Sequence, residues 1–435
     1  MRQLVHPAPI TFTALAALAL ATAPGCGDTA RAEHGRTAQL AAQQARAPGD
    51  TRESAHGSTR TAAAPAPATA PSAPAEPARP PDAVRHVSIS GTGDLLIHQR
   101  VAESARLHAS EGGFEWSFRG LEQAIAPGDI AFVNLETPLT LEFRDPQSVQ
   151  PPVLGGPAEV AAALAHAGVD VVGVANNHAY DQTARGLLQS LERVRAAGIV
   201  AVGAGSNEEE AYAPVIVERD GVRVAFVAVT DRLNSSQERY NSVRVARLQA
   251  EPLVAAAIAR ARSEADVVVV ALHWGEEWAD GVGRRQRGIA EQLVELGADV
   301  ILGTGPHVLL PVARIASARG EAVIAYSLGN SISNQGLKYL AGHIPPGLEG
   351  LHEESPLPRD SVLLRVELDV PARGRVSVRS VEGVPLWTNN NWRHRINERT
   401  EVVRIARLST CDDRTREERW PIIGRTLGPA VTLVP

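Results

Sequence analysis

Gly168–Asp181 reads GVDVVGVANNHAYD, an apolar run that stops at Ala175 and then presents Asn176, Asn177, His178 and Asp181. So continuous a run of branched residues suits a strand buried on both faces, as in the parallel part of an α/β sheet. Ligands in such sheets collect outside the carboxyl ends of the strands, so chemistry is expected at the polar end of this run. The next segment, Gly186–Gly198 (GLLQSLERVRAAG), predicts a helix that leads away from that end and closes at Gly198. Asn177 and His178 are adjacent, so both reach one site only if the strand gives way to a turn there.

The pattern recurs. Val87–Asp94 (VSISGTGD), Ile130–Glu136 (IAFVNLE), Ala265–Trp274 (ADVVVVALHW), Ala298–His307 (ADVILGTGPH) and Ala322–Asn330 (AVIAYSLGN) are apolar runs that end in a polar group. If these strands lie side by side, Asp94, Glu136, Asn177, His178, His273, His307 and Asn330 converge on one rim, with Asn176 and Asp181 beside them. Helix-compatible segments separate the runs: Gln99–His108, Glu115–Ile125, Pro157–Gly168, Pro252–Glu264 and Arg285–Gly297. Asp220-Gly221 marks a hairpin between Ala213–Arg219 and Val222–Thr230, and Thr230-Asp231-Arg232 then faces the same rim. Ile199–Gly205, Ser361–Leu368 and Arg375–Val384 read as further strands, and Phe143–Gly156 as a loop over the rim. Strand alternating with helix, with one antiparallel excursion, predicts α/β layers.

Dense patterning runs from Val84 to Thr388, and residues 389–435 stand apart as an extension without an assigned role. A net charge of −6 and the lack of a basic stripe exclude a nucleic-acid partner. At the N-terminus, Arg2, the apolar run Ile10–Thr22 and Ala23-Pro24-Gly25 precede Cys26. Residues 1–26 resemble a lipoprotein-type signal peptide that leaves Cys26 as the lipid-bearing first residue; an ordinary signal cut nearby and a short uncleaved anchor are the other readings, although the apolar run is short for a membrane span. Each makes this an exported protein, and the first makes it a membrane-anchored lipoprotein, facing the periplasm or the extracellular side. Residues 27–83, rich in Ala and Pro, cannot bury a core and read as a disordered tether.

Asp, Glu, Asn and His without thiolates suit Mn²⁺, Fe²⁺ or Zn²⁺ in a working site rather than structural zinc. A bridging carboxylate would hold two such ions about 3.5–4 Å apart and let them clamp a phosphoryl group. No Ser lies in a G-x-S-x-G elbow, which disfavours a serine hydrolase.

GDLLIHQRV (Gly93–Val101), NLETPL (Asn134–Leu139), ANNHAYD with RGLLQSLERVRAAGI (Ala175–Ile199), HWGEEW (His273–Trp278), GTGPHVLLPV (Gly303–Val312) and YSLGN (Tyr326–Asn330) together resemble the CapA-type capsule-synthesis family of poly-γ-glutamate biosynthesis proteins. That family is similar to the calcineurin-like metallophosphatases. The resemblance implies a layered αββα sandwich with mixed sheets and a strand-end site for two divalent ions. It implies Asp94 as a first-metal carboxylate, Glu136 as the bridge, Asn177 and His273 as second-metal ligands, and His307 as a late ligand. His178 resembles the histidine that protonates the leaving oxygen, and His98 is either a displaced metal ligand or a surface histidine. Gly305 stands where metallophosphatases carry a further histidine, and Glu136 is one methylene longer than the expected Asp.

Two functions follow. One is a cell-envelope, metal-dependent phosphohydrolase acting on a phosphoester, in capsule or poly-γ-glutamate biosynthesis. The alternative is a non-hydrolytic component of a capsule synthesis or export complex, which binds, exports or anchors an anionic polymer.

Overall fold

Each apolar run singled out above becomes a strand in the computed structural model, which describes residues 84–140, 152–317, 319–339, 353–372, 374–392 and 402–435. The leader at 1–26 with Cys26, the tether at 27–83 and residues 143–151 of the expected rim loop lie outside them. Among the described residues no helix is long and apolar enough to cross a membrane.

The chain begins with β1 (Arg85–Leu95), α1 (Gln99–Leu107), α2 (Phe114–Ala124), β2 (Asp129–Leu135), α3 (Glu159–His166), β3 (Val171–Gly173), α4 (Thr183–Ala196) and β4 (Val200–Val202). Then come β5 (Ala204–Gly205), α5 (Glu208–Tyr212), β6 (Val215–Arg219), β7 (Val222–Thr230), β8 (Arg244–Val245), α6 (Glu251–Glu264), β9 (Val267–His273) and α7 (Arg284–Leu296). The remainder is β10 (Val300–Thr304), β11 (Leu309–Ser317), β12 (Gly320–Leu328), β13 (Asn330–Ile332), β14 (Asp360–Val370), β15 (Ser377–Asn390), β16 (Val403–Arg407), α8 (Asp413–Leu427) and β17 (Thr432–Leu433).

Among the described residues these strands form a nine-stranded sheet, a six-stranded sheet and a two-stranded ribbon of β5 and β8. The large sheet runs β16-β15-β14-β1-β2-β3-β4, with β13 added on β1 and β17 on β15; the smaller runs β11-β12-β10-β9-β7-β6. Both are mixed. β1 to β4 are parallel in one and β7, β9, β10 and β12 in the other, with antiparallel strands outside them. The central strands β2 and β9 are buried along their whole length, as their unbroken apolar sequences require.

The sheets face each other across one apolar layer. Phe132 of β2 stacks on Phe226 of β7 at 6.3 Å, and Gly91 of β1 lies against Leu302 of β10. Helices α6 and α7 cover the other face of the smaller sheet, where Ile258 and Leu293 meet Val268 and Ile301. On the large sheet α2 lies directly on β16 and α4 beside β4. The layers are therefore αββα.

Three expectations need correction. The run at Val169–Ala175 is a strand only over Val171–Gly173, because the chain begins its turn before Asn176. Ile199–Gly205 divides into β4 and β5, which joins β8 rather than the large sheet. The boundary at Thr388 falls inside β15, and β16 pairs with Leu386–Asn390. Residues 403–433 thus complete the large sheet and pack α8 beside β11. A buried ion pair fixes that helix, with Arg419 donating through Nε (3.1 Å) and Nη2 to the Asp360 carboxylate.

If α8 is integral to the domain, Arg419→Leu should cost about 3–5 kcal/mol in a urea titration, since it strands a buried carboxylate. Arg419→Leu combined with Asp360→Leu should recover much of that loss. An unchanged midpoint in the single variant would show that the C-terminal segment is not docked.

Candidate metal centre

The carboxyl ends of the two parallel strand sets meet at one edge of the sandwich. Asp94 is aimed there by an irregularity in the β1–β2 register between Thr92 and Asp94, a bulge of the kind that turns a side chain out of the pleat. Gly93 permits it: a Cβ at that position would lie 1.8 Å from the Gly329 carbonyl oxygen, to which the Asp94 N–H donates at 2.9 Å.

Asp94 is fully buried and receives three donors. Asn134 Nδ2 donates to Oδ1 at 2.7 Å, while the Gly305 N–H and His307 Nδ1 reach Oδ2 at 3.0 Å each. Burial alone would raise this acid, but the hydrogen-bonding and charge effects of His273 and His307 outweigh it and hold the carboxyl well below the usual range. Gly305 explains the missing histidine. Its φ is +104°, and a side chain there would press on the Trp274 backbone and His273, so the position is given over to an N–H on Asp94.

His307 also adopts a left-handed backbone, φ +61°. Its Nδ1 lies 3.0 Å from Asp94 Oδ2 and 3.1 Å from Asn330 Oδ1. Asn330 is oriented by donating Nδ2 to Ser333, Gln335 and the Pro358 carbonyl, which leaves its Oδ1 as an acceptor. Both neighbours of Nδ1 then accept, so it carries a hydrogen and Nε2 is the imidazole's remaining lone pair. Burial pulls the His307 pKa down, but the Asp94 hydrogen bond and charge prevail and raise it.

Glu136 has the opposite environment. It is fully buried, and among the described residues no donor reaches either oxygen of its carboxylate form; the only side-chain hydrogen bond open to it is from its protonated form to Asp94. Burial, then the charge of Asp94, push its pKa well above the ordinary value. Its nearest nitrogens are His273 Nε2 at 3.6 Å and His307 Nδ1 at 3.9 Å, too long for hydrogen bonds. His273 Nε2 is itself buried and unpartnered, while its Nδ1 lies 3.1 Å from Thr304 Oγ1 and 3.2 Å from Asn134 Nδ2. Asn134 Nδ2 is committed to Asp94, so in the tautomer with Nδ1–H donating to Thr304 it is a neighbour and not a partner of Nδ1, and Nε2 offers a lone pair toward Glu136. Burial lowers the His273 pKa and keeps the ring neutral, the form that ligates.

Ligand atoms of Asp94, Glu136 and His307 lie within 4.8 Å of one another. Each orphaned buried polar atom costs about 1–3 kcal/mol, and an unpaired carboxylate more. A divalent cation matches that chemistry: it would satisfy both Glu136 oxygens and the His273 lone pair at once. These residues fit such an ion.

The other expected residues divide. Asn177 is buried with Oδ1 unpartnered, and its Nδ2 is a distant 3.5 Å from Asn234. Asn176 donates to the Leu135 carbonyl at 2.9 Å and ties the turn to β2, although its Oδ1 is also unpartnered. His178 is buried and its Nδ1 lies 2.6 Å from Asp181 Oδ2, which also accepts from the Leu154 N–H. His98 stands outside the Asp94–Glu136–His307 group and spends Nδ1 on the Asn334 N–H at 3.2 Å. Burial and the nearby histidines His178 and His307 push it down to about 4. Sequence reasoning missed Asn134, the amide between Asp94 and His273. Period-two alternation places it on the same side of the strand as Glu136, two residues on.

Residues 88–335, more than half of the chain, match the family described as bacterial capsule synthesis protein PGA_cap. The chain belongs to that family. It is 29% identical over 256 residues to the capsule biosynthesis protein CapA of Bacillus anthracis, covering 58% of this chain and 60% of that protein. The PGA biosynthesis protein CapA of Bacillus subtilis is also 29% identical, over 58% of this chain and 64% of its own length. The chain thus spans less than two thirds of either relative. A probable polyglutamine synthesis accessory protein of Mycobacterium tuberculosis is 24% identical over 71% of this chain and 75% of its own. Among solved structures, a novel phosphatase of Mycoplasma pneumoniae aligns with 70% of this chain and 94% of its own at 13% identity, TM-score 0.39.

A raised pKa in the fold makes the ionised form of Glu136 destabilising. The deficit is absent below the unfolded value of 4.5 and grows as pH rises through and beyond it. In chelator-treated protein, Glu136→Gln should therefore raise the melting temperature at pH 7 but not at pH 4. With manganese the order should reverse. A variant less stable than wild type in both states would mean that Glu136 has an undetected partner.

Proposed function

We propose that this chain is an exported, membrane-anchored protein of capsule or poly-γ-glutamate biosynthesis whose strand-end site is a metal-dependent phosphohydrolase centre. The observation that carries the chemistry is Glu136, buried beside Asp94, His273 and His307 with both oxygens unpartnered. The biosynthetic role rests on family membership and on the likeness to the two CapA relatives.

In this reading Asp94, Glu136 and His307 would hold a divalent ion, and Asn177 and His273 would contribute to a second. A bound pair would supply Lewis acidity toward a phosphoryl oxygen and a water ionised near neutral pH. The protein does the rest. Asp94 is kept ionised with Asn134 donating to it, and Thr304 orients His273. Asp181 accepts from Nδ1–H of His178 and so fixes the ring, whose Nε2 would pass the proton to the leaving oxygen. Asp181 is in turn fixed by the Leu154 N–H.

His178→Asn should leave manganese stoichiometry intact and lower turnover of alkyl phosphoesters by about 10²–10⁴, with much smaller loss on activated aryl esters. Equal losses on both, or loss of metal, would give His178 a ligand or structural role. A metal-loaded chain that turns over no phosphoester would favour the polymer-binding alternative. For the anchor, Cys26→Ser should move the protein from the membrane to a soluble extracytoplasmic fraction, because one lipid-bearing residue supplies the attachment. Unchanged retention in fractionated cells would contradict it.

A further inference from the structure

Two side chains, Trp278 and Arg232, stand beside this site, the first next to His307 and the second tied to Gly275. Trp278 is 38% exposed and has φ +56°, a left-handed backbone that bulky residues rarely adopt. A 2.7 Å hydrogen bond from its N–H to the Pro306 carbonyl holds it there, with the indole 6.4 Å from the His307 ring. A strained backbone that exposes a large apolar ring gains little from the core. Such outliers persist where the surroundings enforce them, and they cluster at ligand sites.

Arg232 lies on the loop after β7. That loop is fastened on two sides of the centre, by the Asp231 N–H to the His273 carbonyl and the Asn234 N–H to the Asn177 carbonyl, each at 3.0 Å. Arg232 Nη2 donates to the Gly275 carbonyl at 2.5 Å, which joins this loop to the one carrying Trp278. Its Nε is buried without a hydrogen-bond partner among the described residues, and Asp231 Oδ1 at 3.9 Å is too far to serve. The charge of Arg232 also reaches Glu136 and His273.

We propose that Arg232 and Trp278 determine specificity here, Arg232 taking a non-reacting oxygen of a phosphoryl group and Trp278 packing on a flat, weakly polar ring carried beside it. The inference rests on the phosphohydrolase reading above and narrows its substrate class. The exposed Glu276 and Glu277 between Gly275 and Trp278 oppose a polyanionic chain along this lip. A compact phosphoester with a ring substituent fits; an extended polyanion does not.

Calorimetric titration of the manganese-loaded full chain with methylphosphonate and phenylphosphonate tests this, since both present the same oxyanion and neither has an ester to hydrolyse. Wild type should bind phenylphosphonate tighter, by on the order of three- to ten-fold. Trp278→Ala should abolish that preference, and Trp278→Phe should keep much of it. Arg232→Gln should weaken both ligands alike by about ten-fold, with partial recovery in Arg232→Lys, which restores charge without the planar fork. An intact phenyl preference in Trp278→Ala, or unchanged affinities in Arg232→Gln, overturns the proposal. Phosphonate binding insensitive to every variant overturns it alone, whereas a manganese-loaded wild type that binds neither ligand overturns the phosphohydrolase reading as well.

Discussion

Asp94 is a carboxylate with no access to solvent, at the seam where two sheets bring their parallel strand ends together. A buried charge is tolerated only when it is neutralised and hydrogen-bonded. The local architecture meets that demand from both sheets: Asn134 from the large sheet, and Gly305 and His307 from the loop after β10 in the small one. The bulge in β1, the close approach at Gly93 and the left-handed backbones of Gly305 and His307 all serve those contacts. Placing Asp94 in this way places Glu136 beside it, without a partner, in the same dry edge.

The asymmetry between the two acids matters. Asp94 is satisfied by the protein alone, whereas Glu136 is not among the described residues, and His273 directs a further unpartnered atom toward it. A site with every polar atom paired would describe a structural network. Several orphans on different strand ends describe a place built for a cation, because the cost of each is removed when the ion binds. The strong likeness to PGA_cap proteins covers the stretch that contains these strand ends, and the C-terminal strands and helix support it from outside that stretch. Pro358, two residues before the Asp360 that pairs with Arg419, accepts from Asn330 and so links the α8 end of the domain to His307.

Much of this was legible in the sequence for a simple reason. A strand buried on both faces must be continuously apolar, so its polar terminus stands out, and parallel strands put such termini at one edge. Asp94, Glu136, His273 and His307 were found that way. What escaped has equally physical causes. β11 is an edge strand with exposed Pro311 and alternating burial, a weak apolar signal. β16 offers only five residues, VRIAR, and gains its identity from the partner β15. Asn134 lay inside an apolar run and was hidden by it. His98, which the sequence offered as either a displaced ligand or a surface histidine, gives its Nδ1 to the Asn334 backbone.

The central claim is that the unpartnered atoms around Glu136 are cation ligands. Anomalous diffraction from crystals of the protein grown with manganese tests it most directly. The account predicts anomalous density at coordination distance, about 2.0–2.3 Å, from Glu136 and from Asp94, His307 or His273. An ordered site with no anomalous peak at saturating manganese, and with ordered water bonded to both Glu136 oxygens instead, would contradict it.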